Sequence, residues 1–501
     1  MQEIATSPGE DAAARSHAGF GGHPPGLSAL FFTELWERFS YYGMRALLVL
    51  FMVAPAATGG LGFATTDAGR IYGTYTFAVY MLAIPGGYLA DALLGARRSV
   101  LVGGTIIALG HFTLAIASEW TFYLGLLLIA LGTGLFKPNI SVMVGSLYKP
   151  DDERRDAGFS IFYWGVNIGA FIAPLVTGFL AQSDTFKSWL AAAGFDPALS
   201  WHWGFAAAGI GMTIAMLIFV RRGGPIAEIG APPAVASGVA MRMALVIAAA
   251  LALFGLVWLS DRPGLESLRW IFVAAPIVAA LRLAWSGDVG TRRLAAVAVF
   301  FLAAMGFWAI FEQAGVSIAL FADELTQREI GGYSIPSAWF QALNPLFVIL
   351  LAPIFAWGWM RLGVRQPSSP VKFVLGLAFL ALSFLLMVPA AMMTAAGKVS
   401  PLWLVGLFFL QTVGELCLSP VGLSTMTKLA PVKYIGLVLG AWFLAAALGN
   451  KLAGVLGGAF SSSDAAGMAR FFGNQAILVG LGTLLLLAMV PWLKRLMGGI
   501  R

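Results

Sequence analysis

The sequence predicts an all-α polytopic membrane protein, and three observations carry that prediction. The chain is 59% hydrophobic and only 11% charged, against about 45–50% apolar and about 25% charged in soluble domains. Apolar stretches of roughly 20 residues, the length that spans a hydrocarbon core of about 30 Å, recur as far as the C-terminus. The cations gather in the short segments between alternate stretches, as they do in loops kept on the cytoplasmic side. A net charge of +7 invites a nucleic-acid partner, but no Lys/Arg run is long enough to track a phosphate backbone. The expected surrounding is therefore a lipid bilayer, with no nucleic acid. The single cysteine, Cys417, lies in an apolar stretch, so no intrachain disulfide forms.

Taken in order, residues 1–26 are small, polar and Gly/Pro-bearing, with Glu10 and Asp11 but no apolar signal-peptide core, and are expected to be a disordered cytoplasmic tail. Membrane segments follow at 27–53, 68–92, 98–117, 121–146, 157–182 and 203–221. Two more lie at 237–258 and 269–286, and then come 294–322, 335–361, 371–394, 401–428, 433–458 and 471–496. Hydrocarbon offers backbone amides no partner, so each segment is predicted to be a helix. An even number of crossings leaves both termini on one side. Arg97/Arg98, Lys149/Arg154/Arg155, Arg221/Arg222, Arg292/Arg293, Arg361/Arg365, Lys428/Lys433 and Lys494/Arg495 fall on that side. The opposite loops mix few cations with acids, as in Asp323, Glu324, Arg328 and Glu329. The positive-inside rule thus places both termini in the cytoplasm.

The expected organisation is an N-terminal six-helix bundle (27–222), an inserted transmembrane hairpin (223–293) and a C-terminal six-helix bundle (294–501). Two parallel halves imply a site between them near the midplane. The insert shows no charge that looks buried, its Asp261-Arg262 falling at a turn, and is expected to stand apart from the chemistry.

A charge at the centre of a membrane helix costs about 2.5–3.5 kcal/mol on insertion scales, so it needs a partner, water or a function. The densest cluster is in the first helix, where spacings of three and four put Glu34, Glu37 and Arg38 on one face, with Tyr41, Tyr42 and Arg45 one to two turns on. Two carboxylates flanking a guanidinium can bind a proton, and the fixed cation can hold a carboxylate ligand. The alternative is an ion-paired packing motif locking this helix to its neighbours. Lys137 precedes Pro138 in the middle of the fourth helix, too deep for easy snorkelling. Asn167 in the fifth either stitches two helices or contacts a ligand. Glu312 follows Trp308 in an apolar helix, Asn344-Pro345 lies in the next, and Glu415 precedes Ser419-Pro420. Lone carboxylates of this kind serve either gating ion pairs or ligand binding. Lys451 has no evident partner in the sequence; the periplasmic interface is within its reach.

With those residues read, the chain resembles the proton-dependent oligopeptide transporter family of the major facilitator superfamily, bacterial type, over nearly its whole length. Glu34-x-x-Glu37-Arg38-Phe39-x-Tyr41-Tyr42-Gly43 matches that family's first-helix motif without a mismatch. Phe162-Tyr163-x-x-Val166-Asn167-x-Gly169 is similar to its fifth-helix signature, departing at Val166 and at Ala170-Phe171. Phe307-Trp308-x-x-Phe311-Glu312-Gln313 and Gly414-Glu415-x-x-x-Ser419-Pro420 follow in register, and Asp91-x-x-x-Gly95-x-Arg97-Arg98 resembles the superfamily's hallmark loop.

The resemblance implies the major-facilitator fold and proton-coupled symport of di- and tripeptides into the cytoplasm by alternating access, in a bacterial inner membrane. The unit would be a monomer, using no cofactor beyond the proton as coupling ion. It implies that Glu34, Glu37, Arg38 and Glu312 couple protons, and that Arg38 and Lys137 receive the peptide carboxylate. Glu415, with Asn167 and Asn344, would face the amino group, and Tyr41, Tyr42, Tyr80, Trp308 and Trp442 would line side-chain pockets. Arg45 with Glu312 would close the periplasmic side and Lys137 with Glu415 the cytoplasmic side. Some relatives carry a histidine two turns before the second-helix tyrosine, where this chain has Gly73, so the carboxylates must carry the coupling. The nearest alternative is a major-facilitator carrier of nitrate or another non-peptide anion, against which Glu415 argues as an amino-group site. An enzyme would need a metal or nucleophile–base constellation, and the sequence has no His-x-x-x-His and only the isolated His111 within the membrane segments. If Glu312 titrates to release Arg45, Glu312→Gln abolishes proton-driven uptake while sparing peptide counterflow. A Glu312→Gln protein that still concentrated peptide under a gradient would overturn that assignment.

Overall fold

The computed structural model describes residues 20–149, 152–227, 229–232, 238–285, 288–431 and 435–498. Most of the expected N-terminal tail and Lys433 lie outside the described residues. The chain is helical almost throughout, and among the described residues eleven helices are long and apolar enough to cross a membrane. Three further helices occupy the remaining expected segments. They are α1 (Gly26–Val53), which carries the Glu34–Arg45 charges, and α4 (Ala96–Leu114), which opens on Arg97 and Arg98. The third is α10 (Ile271–Ala284), shorter than a full crossing but preceded by a 3-10 turn at Glu266–Trp270.

The chain divides by packing into two compact units. One comprises 1–44, 82–177 and 202–249, and the other 45–81, 178–201 and 250–501. This partition follows contacts rather than chain order, and α1 passes from one unit to the other at Met44/Arg45.

In the first unit lie α3 (Ala83–Leu89), α4, α5 (Glu119–Ser146), α8 (Ser200–Arg221) from His202 on and α6 (Arg155–Gln182) as far as Thr177. Their seams are built on glycine. Gly103 faces Gly132 and Gly110 faces Gly125 between α4 and α5, so that an added Cβ at any of these would run into the other helix. Gly165 and Gly169 of α6 lie against Phe31, Leu35 and Arg38 of α1, which brings the charged turn of α1 hard against its neighbour. Thr177 Oγ1 donates to the Gly43 carbonyl at 3.1 Å. Gly95, at φ 74°, turns the chain into α4, and the Arg97 N–H donates to the Gly230 carbonyl at 3.2 Å. The hallmark loop is therefore latched through its backbone; Asp91 is exposed and makes no ion pair among the described residues. Ahead of α1, His23 Nδ1 lies 3.0 Å from the Tyr148 hydroxyl, and Arg154 Nη1 donates to the Gly22 carbonyl at 3.0 Å. Arg154 also donates to Asp152 from its side chain and backbone, which holds that loop carboxyl down at about 2.

In the second unit, α2 (Thr65–Met81) packs along α16 (Ile435–Gly457), with Gly69 and Gly73 against Gly454 and Gly458. Around them lie α11 (Val289–Phe311), α14 (Ser369–Met393), α15 (Leu402–Leu429) and α17 (Ala465–Leu496). Gly376 meets Gly414 between α14 and α15, and Phe384 and Phe321 pack on Phe472 of α17. The second hydrophobic segment, expected as one helix over 68–92, is broken at Leu82 into α2 and α3, and ends in a π-helical turn at Ala90–Leu94. Pro85 supplies no N–H and crowds the carbonyl of Met81, which accounts for the break. The segment expected over 294–322 ends at Phe311; Glu312–Gly315 form a 3-10 turn before the short α12 (Ser317–Glu324). Glu312 thus stands at a helix end, not at a helix centre.

Valine at Gly454 would drive methyls into the backbone of Gly69 and Gly73, which has nowhere to move. Overpacking of this kind costs about 1–3 kcal/mol. Gly454→Val is expected to lower the thermal unfolding midpoint of the detergent-solubilised protein, read by tryptophan fluorescence; an unchanged midpoint would contradict the seam.

Candidate functional site

The residues singled out in the sequence fall into two groups, one in each unit. In the first unit, Arg38 Nε donates to Glu37 Oε2 and lies 3.1 Å from Glu34 Oε1, with all three side chains 7% exposed or less. The i, i+4 relation of Glu34 to Arg38 and the close approach of Gly169 explain how one helix holds three charges out of water. Each member keeps a polar atom in reserve. Glu34 Oε2, Glu37 Oε1 and Arg38 Nη2 are buried with no hydrogen-bond partner among the described residues. Buried polar atoms are rarely left so; here they are two sites able to hold a proton and one donor able to meet an anion. Lys137 of α5, half-buried, is close enough to Glu34 to act on its charge. The Arg38 guanidinium lies 5.3 Å from the centre of the buried Tyr41 ring, which packs edge-on to half-buried Tyr42. Asn167 is buried and donates to the Tyr163 carbonyl at 2.9 Å, a bond within its own helix rather than between two helices.

The same unit holds one contact the sequence did not disclose. His111 is fully buried and its Nε2 lies 2.6 Å from Ser40 Oγ. A serine and histidine at hydrogen-bond distance meet the first requirement of a nucleophile–base pair. The third is missing, since His111 Nδ1 has no partner among the described residues to orient it. The pair fastens α4 to α1 beside the charge cluster.

In the second unit, Arg45 pairs with Glu312 through its Nη2, both side chains nearly buried, and its Nε donates to the Tyr72 hydroxyl at 2.7 Å. Tyr72 is fully buried against Gly315. It stands one residue before Gly73, in a helix that also carries Tyr75 and Tyr80, so nothing local to it singled it out. Asn344 Nδ2 donates to Glu415 Oε2 at 2.9 Å and to Thr412 Oγ1 at 3.0 Å, so α13 (Leu343–Leu362) and α15 are joined at the one acid of α15. Thr412 was not anticipated; it precedes Glu415 by one helical turn. Trp308 packs its Cβ on Gly449, its indole N–H buried without a partner among the described residues. Trp442 is buried against Gly422, and Tyr80 is half-buried two turns after Tyr72. Lys137 and Glu415 belong to different units.

Two expectations need correction. Lys451 does not reach outward to an interface: it is 4% exposed, pairs with Asp261 and donates to Thr74 Oγ1 at 2.6 Å. The inserted hairpin accordingly does contribute a charge to the packed interior. Asp261 does lie at a turn, as expected; what escaped notice is its partner, which lies far along the chain, at a distance no local pattern reveals.

The sequence profile of the POT family matches residues 97–472. The chain is 42% identical to the peptide transporter YePEPT of Yersinia enterocolitica subsp. palearctica over 95% of this chain and 96% of that one. It is 39% identical to the di-/tripeptide transporter of Lactococcus lactis subsp. cremoris over 96% and 98% of the two. A crystal structure of a peptide transporter POT mutant in complex with alafosfalin superposes with a TM-score of 0.84 at 40% identity, covering 99% of this chain and all of that one. The fold is that of the major-facilitator transporters, two six-helix bundles with a two-helix insert between them, and the chain belongs to the POT family.

Proposed function

We propose that this chain imports di- and tripeptides together with protons across a bacterial inner membrane by alternating access, with both termini in the cytoplasm. The observation that carries the proposal is the buried Glu34–Glu37–Arg38 cluster with its unused oxygens and its unused guanidinium N–H. With Lys137 beside it, the group is neutral when both carboxylates are ionised. A peptide carboxylate arriving at Arg38 and Lys137 adds a negative charge, and in a low-dielectric setting the cheapest response is protonation of Glu34 or Glu37. Binding of the peptide and uptake of the proton are coupled in this way. Glu415, held by Asn344, takes the amino group, and the aromatic residues Tyr41, Tyr42, Tyr80, Trp308 and Trp442 meet the side chains. Apolar surfaces discriminate weakly among side chains, which suits a carrier of many peptides.

The Arg45–Glu312 pair closes the periplasmic side. A proton on Glu312 removes the counter-charge of Arg45, and a nearly buried guanidinium without an anion is strongly destabilised. The closed arrangement is therefore favoured at high pH outside and released as the outside is acidified, which is the direction an inward proton gradient requires. The coupling ion is the proton alone, no cofactor takes part, and the transporting unit is a monomer.

The test is uptake of labelled dialanine into proteoliposomes, with an inward proton gradient and with that gradient collapsed. Concentrative uptake that vanishes with the gradient is expected. Folded protein that takes up no dialanine would point instead to nitrate or another small anion, and would remove Glu415 from its role.

A further inference from the structure

Lys451 and Asp261 are used neither by the charge cluster of α1 nor by the Arg45–Glu312 pair, yet they form one of the more deeply buried ion pairs among the described residues. The Lys451 side chain is 5% exposed and that of Asp261 15%. Asp261 lies in the turn that follows α9 (Val239–Leu259), at the tip of the inserted hairpin, and also meets Arg269 Nη2, from the 3-10 turn that leads into α10, at 3.5 Å. Lys451 belongs to α16 and donates its second bond to Thr74 of α2. This is the seam where Gly73 lies against the Lys451 carbonyl and Gly454. A second contact ties the hairpin to α2 directly: the rings of Phe77 and Phe254 stand 6.4 Å apart at 34°. One ammonium therefore joins three elements, α2, α16 and the hairpin, each drawn from a distant part of the sequence.

We propose that the inserted hairpin is part of the gate, with Asp261 and Lys451 as positioning residues that hold α2 against α16. α2 belongs to the first expected six-helix bundle and α16 to the second, so in the proposed alternating-access cycle the two separate at this end in one state. When they do, Thr74 leaves Lys451 and water reaches the ammonium, which then no longer depends on Asp261. Among the described residues its ion pair is with Asp261, and Arg269 and Arg70, which also act on its charge, are cations. Asp261 thus stabilises the packed state selectively, and the hairpin sets the balance between the two states. The inference rests on the alternating-access part of the proposed function but on no particular solute.

The experiment reads that balance without transport. Spin labels at Asp67→Cys on α2 and Ser461→Cys beyond α16, in a Cys417→Ser background in lipid nanodiscs, report the separation of the two helix ends by pulsed electron paramagnetic resonance. Asp261→Asn is expected to raise the long-distance population severalfold. Exchanging the charges in Asp261→Lys with Lys451→Asp should return it toward the native distribution. Thr74→Val keeps the ion pair and removes only the bond to α2; it should shift the distribution the same way by a smaller factor, and it decides the matter if Asp261→Asn does not fold. A hairpin that merely anchors the fold would lower the melting temperature of these variants and leave the distance distribution unchanged, and that result would overturn the proposal. Because no peptide is added, failure here is distinguishable from failure of peptide import, which the dialanine assay reads separately.

Discussion

A charged side chain inside hydrocarbon must meet an opposite charge or a strong hydrogen-bonding group, and in this chain that requirement organises everything else. Arg38 lies between Glu34 and Glu37, Arg45 meets Glu312 and Tyr72, Lys451 meets Asp261 and Thr74, and Glu415 meets Asn344. The first of these is made within a single helix; the other three join separate segments. An interaction confined to one helix is made once and kept. One that joins two helices must be broken when they part, and the cost of parting them then depends on whether the charges are ionised. In the proposed mechanism the two kinds of pair have different consequences: the α1 cluster stores a proton, and the inter-helix pairs convert its presence into movement.

Such pairs form only if helices approach closely enough for short side-chain reach, and the glycines supply that. Gly165 and Gly169 admit α1 to α6 at the turn that carries Glu34 and Arg38, and Gly69, Gly73 and Gly454 admit α2 to α16 at the turn that carries Thr74 and Lys451. Without an apolar driving force between helices in lipid, small residues at the seam and polar bonds across it are what hold segments together. Here both devices occur at the same turns, so sterics and electrostatics specify the same register.

The membrane class, the succession of segments and the face shared by Glu34, Glu37 and Arg38 were legible in the sequence, because each depends on residues within one helix. The break at Leu82 was also readable in principle from Pro85 followed by Gly86 and Gly87; the continuous hydropathy of 68–92 concealed it. What remained hidden were partners distant in the chain. Nothing near Asp261 announces Lys451, nothing near Arg45 announces Tyr72, and nothing near Ser40 announces His111. Arg45 with Glu312, and Glu415 with Asn344, came forward from family motifs, not from any pattern that spacing alone provides. Side-chain pairing between segments is a tertiary property, and a single sequence carries it only through such resemblance.

The central claim is that peptide binding at Arg38 obliges a neighbouring carboxylate to take a proton. Calorimetric titration of the purified protein with dialanine near neutral pH, in two buffers of different ionisation enthalpy, measures binding and proton exchange together. The account predicts that the binding heat differs between the buffers in the sense of net proton uptake, and that Glu37→Gln reduces the difference. Binding with a heat that is the same in both buffers would contradict it.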